Sequence, residues 1–119
     1  MGVEVKPLRV LFCIGVLEAF FETTDDVRQE LVTQLEEEFA DLAGRFGIEV
    51  LGTLDDDRVL VGPVQNYPWT CYILADAPDF DAAVAVCDLT RRPIGEGHRL
   101  YRYIKIEARV GRPLFFGNS

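Results

Sequence analysis

The stretch Lys6–Leu17, KPLRVLFCIGVL, constrains the fold most, because it is apolar on both faces of the strand that it predicts. The β-branched and apolar residues between Pro7 and Gly15 favour a β-strand. One face carries Leu8, Val10, Phe12, Ile14 and Val16, and the other carries Leu11, Cys13 and Leu17. A strand with one face in water alternates apolar with polar residues. We therefore expect other parts of the protein to cover both faces of this strand.

Length and charge exclude several classes of protein. The 119 residues predict a single domain, 1–119, with one hydrophobic core. A composition of 49% hydrophobic and 27% charged residues is typical of a folded globular chain. The formal net charge of −8 argues against binding to nucleic acid, which requires a cationic surface. No apolar run reaches the length of a membrane span, so we expect no membrane association.

The cysteines and the single histidine argue against a metal or another cofactor. Cys13, Cys71 and Cys87 are odd in number and lie in apolar patterns, which favours free core thiols in a reducing cytoplasm. The chain has no CxxC motif, and the run Asp55–Asp57 lacks the ligand spacing of a calcium loop. The N-terminus lacks the basic-then-apolar order of a signal peptide. We expect a cytoplasmic protein that works without a cofactor.

Capping residues and apolar stripes predict two helices. Thr23 and Asp26 fit a capping box that opens a helix running to about Phe46, with Gly47 as its stop signal. The apolar stripe of this helix consists of Val27, Leu31, Leu35, Phe39, Leu42 and Phe46. A second helix begins at Asp79, a good N-cap residue. Its predicted core stripe consists of Phe80, Val84 and Cys87.

Three further strands follow the first. Ile48–Gly62 predicts either one long strand with a bulge or a tight hairpin. Trp69–Ala75 is again apolar on both faces, and Arg99–Val110 is the last strand. A tail, Gly111–Ser119, carries Leu114, Phe115 and Phe116.

The order of these elements, β-α-β-β-α-β, is the ferredoxin-like plan of an α+β protein. Right-handed crossovers place the first strand at the centre of a four-stranded antiparallel sheet and both helices on one of its faces. The other face is then bare, although two of its strands carry apolar side chains there. Large exposed apolar patches are unusual in monomers. We therefore expect a homodimer that forms through the sheet faces.

The layout of four segments also resembles a known superfamily. Arg58–Gly62, Trp69–Asp76, Asp79–Val84 and Tyr101–Arg109 are similar in order to the YCII-related and antibiotic-monooxygenase-like members of the dimeric α+β barrel superfamily. The resemblance implies a small-molecule site between sheet and helices. It also implies an enzyme that oxygenates, isomerises or cyclises an aromatic or polycyclic metabolite without a cofactor. YCII-type proteins have a histidine near the first strand, whereas this chain has none there, and Glu18 is the nearest ionisable group.

Two residues are candidates for proton transfer. His98 is the single histidine, and its ordinary pKa suits a proton carrier near neutral pH. A histidine in a glycine-rich loop is also an ordinary surface residue. Glu18 follows the first strand beside Phe20 and Phe21, and a carboxylate among aromatic side chains is a candidate for a catalytic base. The simpler interpretation of Glu18 is an exposed loop residue.

Aromatic residues and one arginine are candidates for binding the substrate. The aromatic set consists of Tyr67, Trp69, Tyr72, Tyr101 and Tyr103, which either line a pocket for a flat ligand or belong to the core or dimer interface. Arg102 is predicted on an apolar strand face between Leu100 and Ile104. A buried arginine needs an anionic partner, which is either a side chain such as Glu49 or a substrate carboxylate or enolate.

The sequence thus favours a small enzyme with His98 or Glu18 as proton carrier, Arg102 as anion holder and aromatic walls around the ligand. The alternative is a non-catalytic ligand-binding or accessory protein of the same fold.

Overall fold

The computed structural model describes residues 7–58, 61–62, 70–91, 93–94 and 98–117, and for 93–94 and 98–99 it describes the backbone alone. The elements are strands β1 (Leu8–Val16), β2 (Glu49–Asp55), β3 (Cys71–Ala77), β4 (Pro93–Ile94), β5 (His98–Arg99) and β6 (Ile104–Gly111), and helices α1 (Glu18–Phe21), α2 (Asp25–Glu38), α3 (Leu42–Phe46) and α4 (Phe80–Cys87). Two 3₁₀ turns, Asp88–Arg91 and Leu100–Arg102, complete the set. The protein is an α+β protein, as the sequence predicts.

A four-stranded antiparallel sheet in the order β2-β3-β1-β6 forms the centre of the fold. β1 lies inside the sheet, where Val10 pairs with Ala75 of β3 on one side and with Val110 of β6 on the other. The predicted central position of the first strand is therefore confirmed. β2 and β6 are the edges of this sheet, and the short strands β4 and β5 pair with each other.

The helices pack on one face of the sheet. On this face of β1, the side chains of Val10 and Phe12 are buried in one cluster with residues of α3 and α4. Further along β1, Ile14 packs against Leu31 of α2. Alternation along the strand places Leu11 on the opposite face, where Leu74 of β3 lies beside it. The two-sided apolar character of β1 thus leaves one apolar face without a described helix.

The first predicted helix is in fact two helices. α2 begins after Thr24, whose hydroxyl accepts a hydrogen bond from the Val27 amide, so the cap is Thr24 and not Thr23. α2 ends at Glu38, and α3 begins after Asp41, which has a left-handed φ of 51°. The Asp41 carboxylate accepts a hydrogen bond from the Gly44 amide at 3.1 Å. This second cap turns the chain, and the turn lets Leu42 reach the core.

The second predicted helix has the expected start and an unexpected core face. The Asp79 carboxylate accepts a hydrogen bond from the Ala82 amide at 2.9 Å, which confirms the N-cap. The side chains that α4 buries are those of Ala82, Ala83 and Val86. The predicted core stripe of Phe80 and Val84 is wrong, because these two side chains are 63% and 55% exposed. Small alanines let the helix approach the sheet closely, and the larger residues face outward.

The last predicted strand is shorter than expected. β6 begins at Ile104, and the Leu100–Arg102 segment before it is a 3₁₀ turn closed by a hydrogen bond from the Tyr103 amide to the Leu100 carbonyl at 2.9 Å. Leu100 and Tyr103 both enter the core beside Ile14 and Leu31. A strand would place residues 100 and 103 on opposite faces, so their joint burial requires the turn.

The second strand supports one of the two predicted alternatives. β2 spans Glu49–Asp55 and contains an irregularity in its register with β3 between Val50 and Gly52, as a strand with a bulge would. The predicted extension toward Gly62 passes through residues 59–60, which lie outside the described part. At the other end of the chain, the tail side chains Leu114, Phe115 and Phe116 are exposed.

Candidate functional site

A cleft of about 680 Å³ opens at the edge of the sheet, between the end of α4 and strand β6. Its walls consist of Cys87, Asp88, Thr90 and Arg91 on one side and Tyr101, Ile104, Lys105 and Ile106 on the other. The volume lies in the range typical of small-molecule sites. The lining combines apolar side chains with a phenol, a hydroxyl and three charged groups, which is the mixture that such sites use to hold and orient a ligand.

Buried residues hold both walls of the cleft in place. In the first 3₁₀ turn Leu89 and Thr90 are buried, and the Thr90 hydroxyl donates a hydrogen bond to the Cys87 carbonyl at 3.1 Å. In the second 3₁₀ turn the fully buried Leu100 holds the backbone next to Tyr101. These anchored turns fix the backbone from which the side chains of both walls extend, so less order has to be created when a ligand binds.

The charges along the cleft differ in sign from those of the chain as a whole. Arg91 and Lys105 are cationic and Asp88 is anionic, whereas the formal net charge of the protein is −8. Arg91 Nε lies 3.7 Å from Asp88 Oδ1 at a largely exposed position, where such a pair contributes at most about 1 kcal/mol. The cleft is therefore a locally cationic site on an acidic protein and favours an anionic ligand.

Cys87 lies in the cleft as a thiol. Burial raises the pKa of Cys87 above its ordinary value of 9.0, and the nearby Asp88 carboxylate raises the pKa further. A thiol is a nucleophile or a metal ligand chiefly as the thiolate. At neutral pH this residue therefore contributes packing surface rather than reactivity.

An apolar groove continues from the cleft along the same seam between α4 and β6. It has a volume of about 290 Å³ and is lined by Phe80, Ala83, Val84, Cys87, Ile106, Glu107, Ala108 and Val110. Cys87 and Ile106 belong to both cavities, so the cleft and the groove are contiguous.

The face of the sheet opposite the helices carries a second apolar surface, which we call the open face patch. It consists of Leu11, Gly52, Thr53, Leu54, Tyr72 and Leu74, and it borders a depression of about 470 Å³. Leu54 is 58% and Leu74 is 37% exposed. Beside the patch, Arg9 Nε donates a hydrogen bond to Asp76 Oδ1 at 2.6 Å across β1 and β3.

Tyr72 is held at the margin of this patch by a polar contact. Its hydroxyl donates a hydrogen bond to Asp56 Oδ2 at 3.3 Å. Partial burial raises the pKa of Tyr72 above its ordinary value of 10.0, and the negative charge of Asp56 adds to this effect. At neutral pH the phenol is therefore a neutral hydrogen-bond donor and not a base.

The structure separates the aromatic residues that the sequence groups together. Tyr101 lines the cleft, whereas Tyr72 lies on the opposite face of the sheet. Tyr103 is buried in the core with Leu100 and Ile104, so it is a core residue and not a pocket wall. The side chains of His98, Tyr67 and Trp69 lie outside the described part of the chain.

The two remaining candidates are exposed. Arg102 is exposed in the 3₁₀ turn, so its predicted position on a buried strand face is wrong, and the reason is the turn that Leu100 and Tyr103 impose. Arg102 lies next to Tyr101 in the chain, which brings its backbone to the border of the cleft. Glu18 is exposed in the first turn of α1 and is not among the residues that line the cleft.

Sequence reasoning missed the charged residues of the cleft. From the sequence, Arg91 belongs to a stretch that leaves the second helix, and Lys105 belongs to the face of the last strand that is opposite Ile104 and Ile106. Their proximity depends on the packing of α4 over β6, which no local pattern reports.

Fold and cleft together define a small α+β protein with a four-stranded antiparallel sheet, helices on one face and a mixed apolar and cationic cleft at one sheet edge. Comparisons with protein-family models, with curated proteins and with solved structures find no match. None of the helices in the described ranges combines the length and the apolar composition needed to cross a bilayer.

Proposed function

We propose that the protein binds a small anionic molecule with an apolar or aromatic body in the cleft between α4 and β6. The observation that carries this proposal is the cleft itself, in which Arg91 and Lys105 stand beside Tyr101, Ile104 and Ile106 on a chain that is otherwise acidic. The cations attract a carboxylate, and the apolar side chains accept the rest of the ligand.

The proposal includes a ferredoxin-like homodimer of the dimeric α+β barrel type. The strand order β2-β3-β1-β6 with helices on one face supports the ferredoxin-like plan. The exposed Leu54 and Leu74 of the open face patch support a partner copy on that face. The cleft lies at the edge strand β6, so a partner on the open face leaves it accessible.

An NMR titration with benzoate and with its neutral counterpart benzyl alcohol tests the binding site. We expect benzoate to shift the backbone amide signals of Tyr101 and Lys105 and to bind more tightly than benzyl alcohol. Replacement of the cation in Lys105→Gln lowers the benzoate affinity roughly fivefold, which corresponds to about 1 kcal/mol for an exposed charge pair. Tyr101→Ala weakens both probes, because it removes an apolar wall.

Arg58→Gln is the matched control for this titration. Arg58 is a largely exposed arginine beyond β2, at the other edge of the sheet, so its replacement leaves benzoate binding unchanged. Equal binding of benzoate and benzyl alcohol, or an equal loss in Arg58→Gln and Lys105→Gln, would contradict the proposed anion site.

Catalysis on the bound molecule is the second candidate function. His98 in β5 precedes Tyr101 of the cleft by three residues, and this short separation in the chain supports a role for the single histidine of the sequence at the site. A histidine there could move a proton in an isomerisation, cyclisation or cofactor-free oxygenation of an aromatic substrate.

Turnover measurements distinguish the enzyme from the binding protein. For an enzyme, His98→Ala lowers kcat while KM for the substrate changes little, because the residue moves a proton and does not hold the ligand. Glu18→Ala and Arg102→Ala test the other two predicted residues. If a bound molecule is recovered chemically unchanged and all three variants behave like the original protein, the protein is a carrier.

A further inference from the structure

The groove beside β6 exposes apolar side chains that a helix normally buries. Phe80 and Val84 are spaced by four residues and therefore share one face of α4. This face is turned to the outer edge of the sheet, where Ile106, Ala108 and Val110 form the opposite wall. The core face of α4 is already occupied by alanines. Two large side chains thus border a groove and do not fill the core.

The groove and the cleft form one elongated site with unlike ends. From Ile104 to Val110 the site follows six steps of β6, which is about 20 Å at the rise of a strand. The Val110 end is lined mainly by apolar side chains. The other end carries the cations Arg91 and Lys105, with Asp88 beside them.

We infer that this site binds an elongated anionic amphiphile, a molecule with a carboxylate head and an unbranched apolar chain such as a fatty acid. The inference rests on the proposed function and specifies its ligand. The head lies at Lys105 and Arg91, and the chain lies along the groove between Phe80 and Val110. The cations that line the cleft set this direction, because the groove at the other end is lined mainly by apolar side chains.

Calorimetric titrations with octanoate, decanoate and laurate, each below its micelle concentration, test this inference. We expect the affinity to rise roughly two- to fourfold per added methylene, because each methylene leaves water for the groove. Dodecanol, which has the chain of laurate without its charge, binds more weakly than laurate. Lys105→Gln weakens all three carboxylates by a similar factor.

Phe80→Ala and Val84→Ala separate the groove from the cleft. Both variants are expected to fold, because the two side chains are largely exposed. Each variant flattens the dependence of affinity on chain length and leaves benzoate binding unchanged. Phe21→Ala is the matched control, since Phe21 is 66% exposed on α1 and does not line the groove. It leaves the chain-length series intact.

The contrary results are distinct. Benzoate binding without any dependence on chain length overturns the amphiphile and leaves the proposed function standing, whereas a failure of every carboxylate overturns both. A chain-length effect that disappears in Leu54→Ser and persists in Phe80→Ala would place the chain on the open face patch and overturn the inference. A change of oligomeric state in Phe80→Ala would also overturn it, because a second copy would then cover the groove.

Discussion

Single residues decide where the chain turns between its helices and strands. Gly47 ends α3 with a left-handed φ of 70°, and its amide donates a hydrogen bond to the Ala43 carbonyl at 2.9 Å. A β-carbon at this position would meet the nearest atom, Pro78 Cγ, at 3.5 Å, which is an ordinary contact. The requirement for glycine is therefore one of backbone conformation and not of space.

Gly47→Ala is expected to destabilise the protein by about 1–2 kcal/mol, the cost of holding an L-residue in the left-handed region. Urea unfolding followed by circular dichroism measures this difference in the free energy of unfolding. Gly111→Ala is the control, because Gly111 lies at the end of β6 with nothing within 4 Å of an added β-carbon and with no positive φ. Equal stability of the two variants would show that the turn after α3 does not constrain the chain.

At the scale of whole elements, the sequence predicts boundaries better than faces. The start of α4 at Asp79 was predictable because the cap is a contact between residues three positions apart. Such short-range contacts depend only on the local sequence. The core face of α4 is a different matter. The pattern of large apolar residues predicts that Phe80 and Val84 face the core. In the structure Ala82 and Ala83 face the core, because their small side chains fit between the helix and the sheet.

Other differences have the same origin. The break between α2 and α3 depends on the left-handed backbone of Asp41. The apolar stripe continues past this residue, so the sequence predicts one helix. The 3₁₀ turn before β6 depends on the joint burial of Leu100 and Tyr103 against a helix that is distant in the chain. The cleft was unpredictable for the same reason, because Arg91 and Lys105 line one cleft only after α4 packs on the sheet.

The assignment of the α4 faces predicts opposite effects for neighbouring residues. Ala83→Leu introduces three extra carbon atoms at a position that is 3% exposed, and we expect a loss of about 1–3 kcal/mol in the free energy of unfolding from overpacking. Val84→Ala removes an exposed side chain and changes stability by less than about 0.5 kcal/mol. Thermal and urea unfolding of the two variants measure the contrast. A larger loss in Val84→Ala would mean that the pattern of large residues does mark the core.

At the scale of the whole molecule, the two faces of the sheet differ in how they are covered. Helices α2, α3 and α4 bury the inner face, while Leu11, Leu54 and Leu74 lie on a face that no described helix covers. Contact with water is unfavourable for an apolar sheet face of this kind, and burial of the face lowers the free energy. A second copy related by a two-fold axis presents the same surface in return and can cover it without any new sequence feature.

The proposed dimer predicts that one charge on the open face patch separates the subunits. In Leu54→Arg the two-fold axis brings two unpaired guanidinium groups into an apolar interface, and the dissociation constant is expected to rise roughly a hundredfold or more. Sedimentation equilibrium at micromolar concentration measures this shift from dimer to monomer. Phe21→Arg adds the same charge at an exposed phenylalanine of α1 and leaves the dimer intact. If the original protein sediments as a monomer, the proposed dimer is wrong. The proposed ligand site would not be affected by that result, because the cleft at β6 is formed within one subunit.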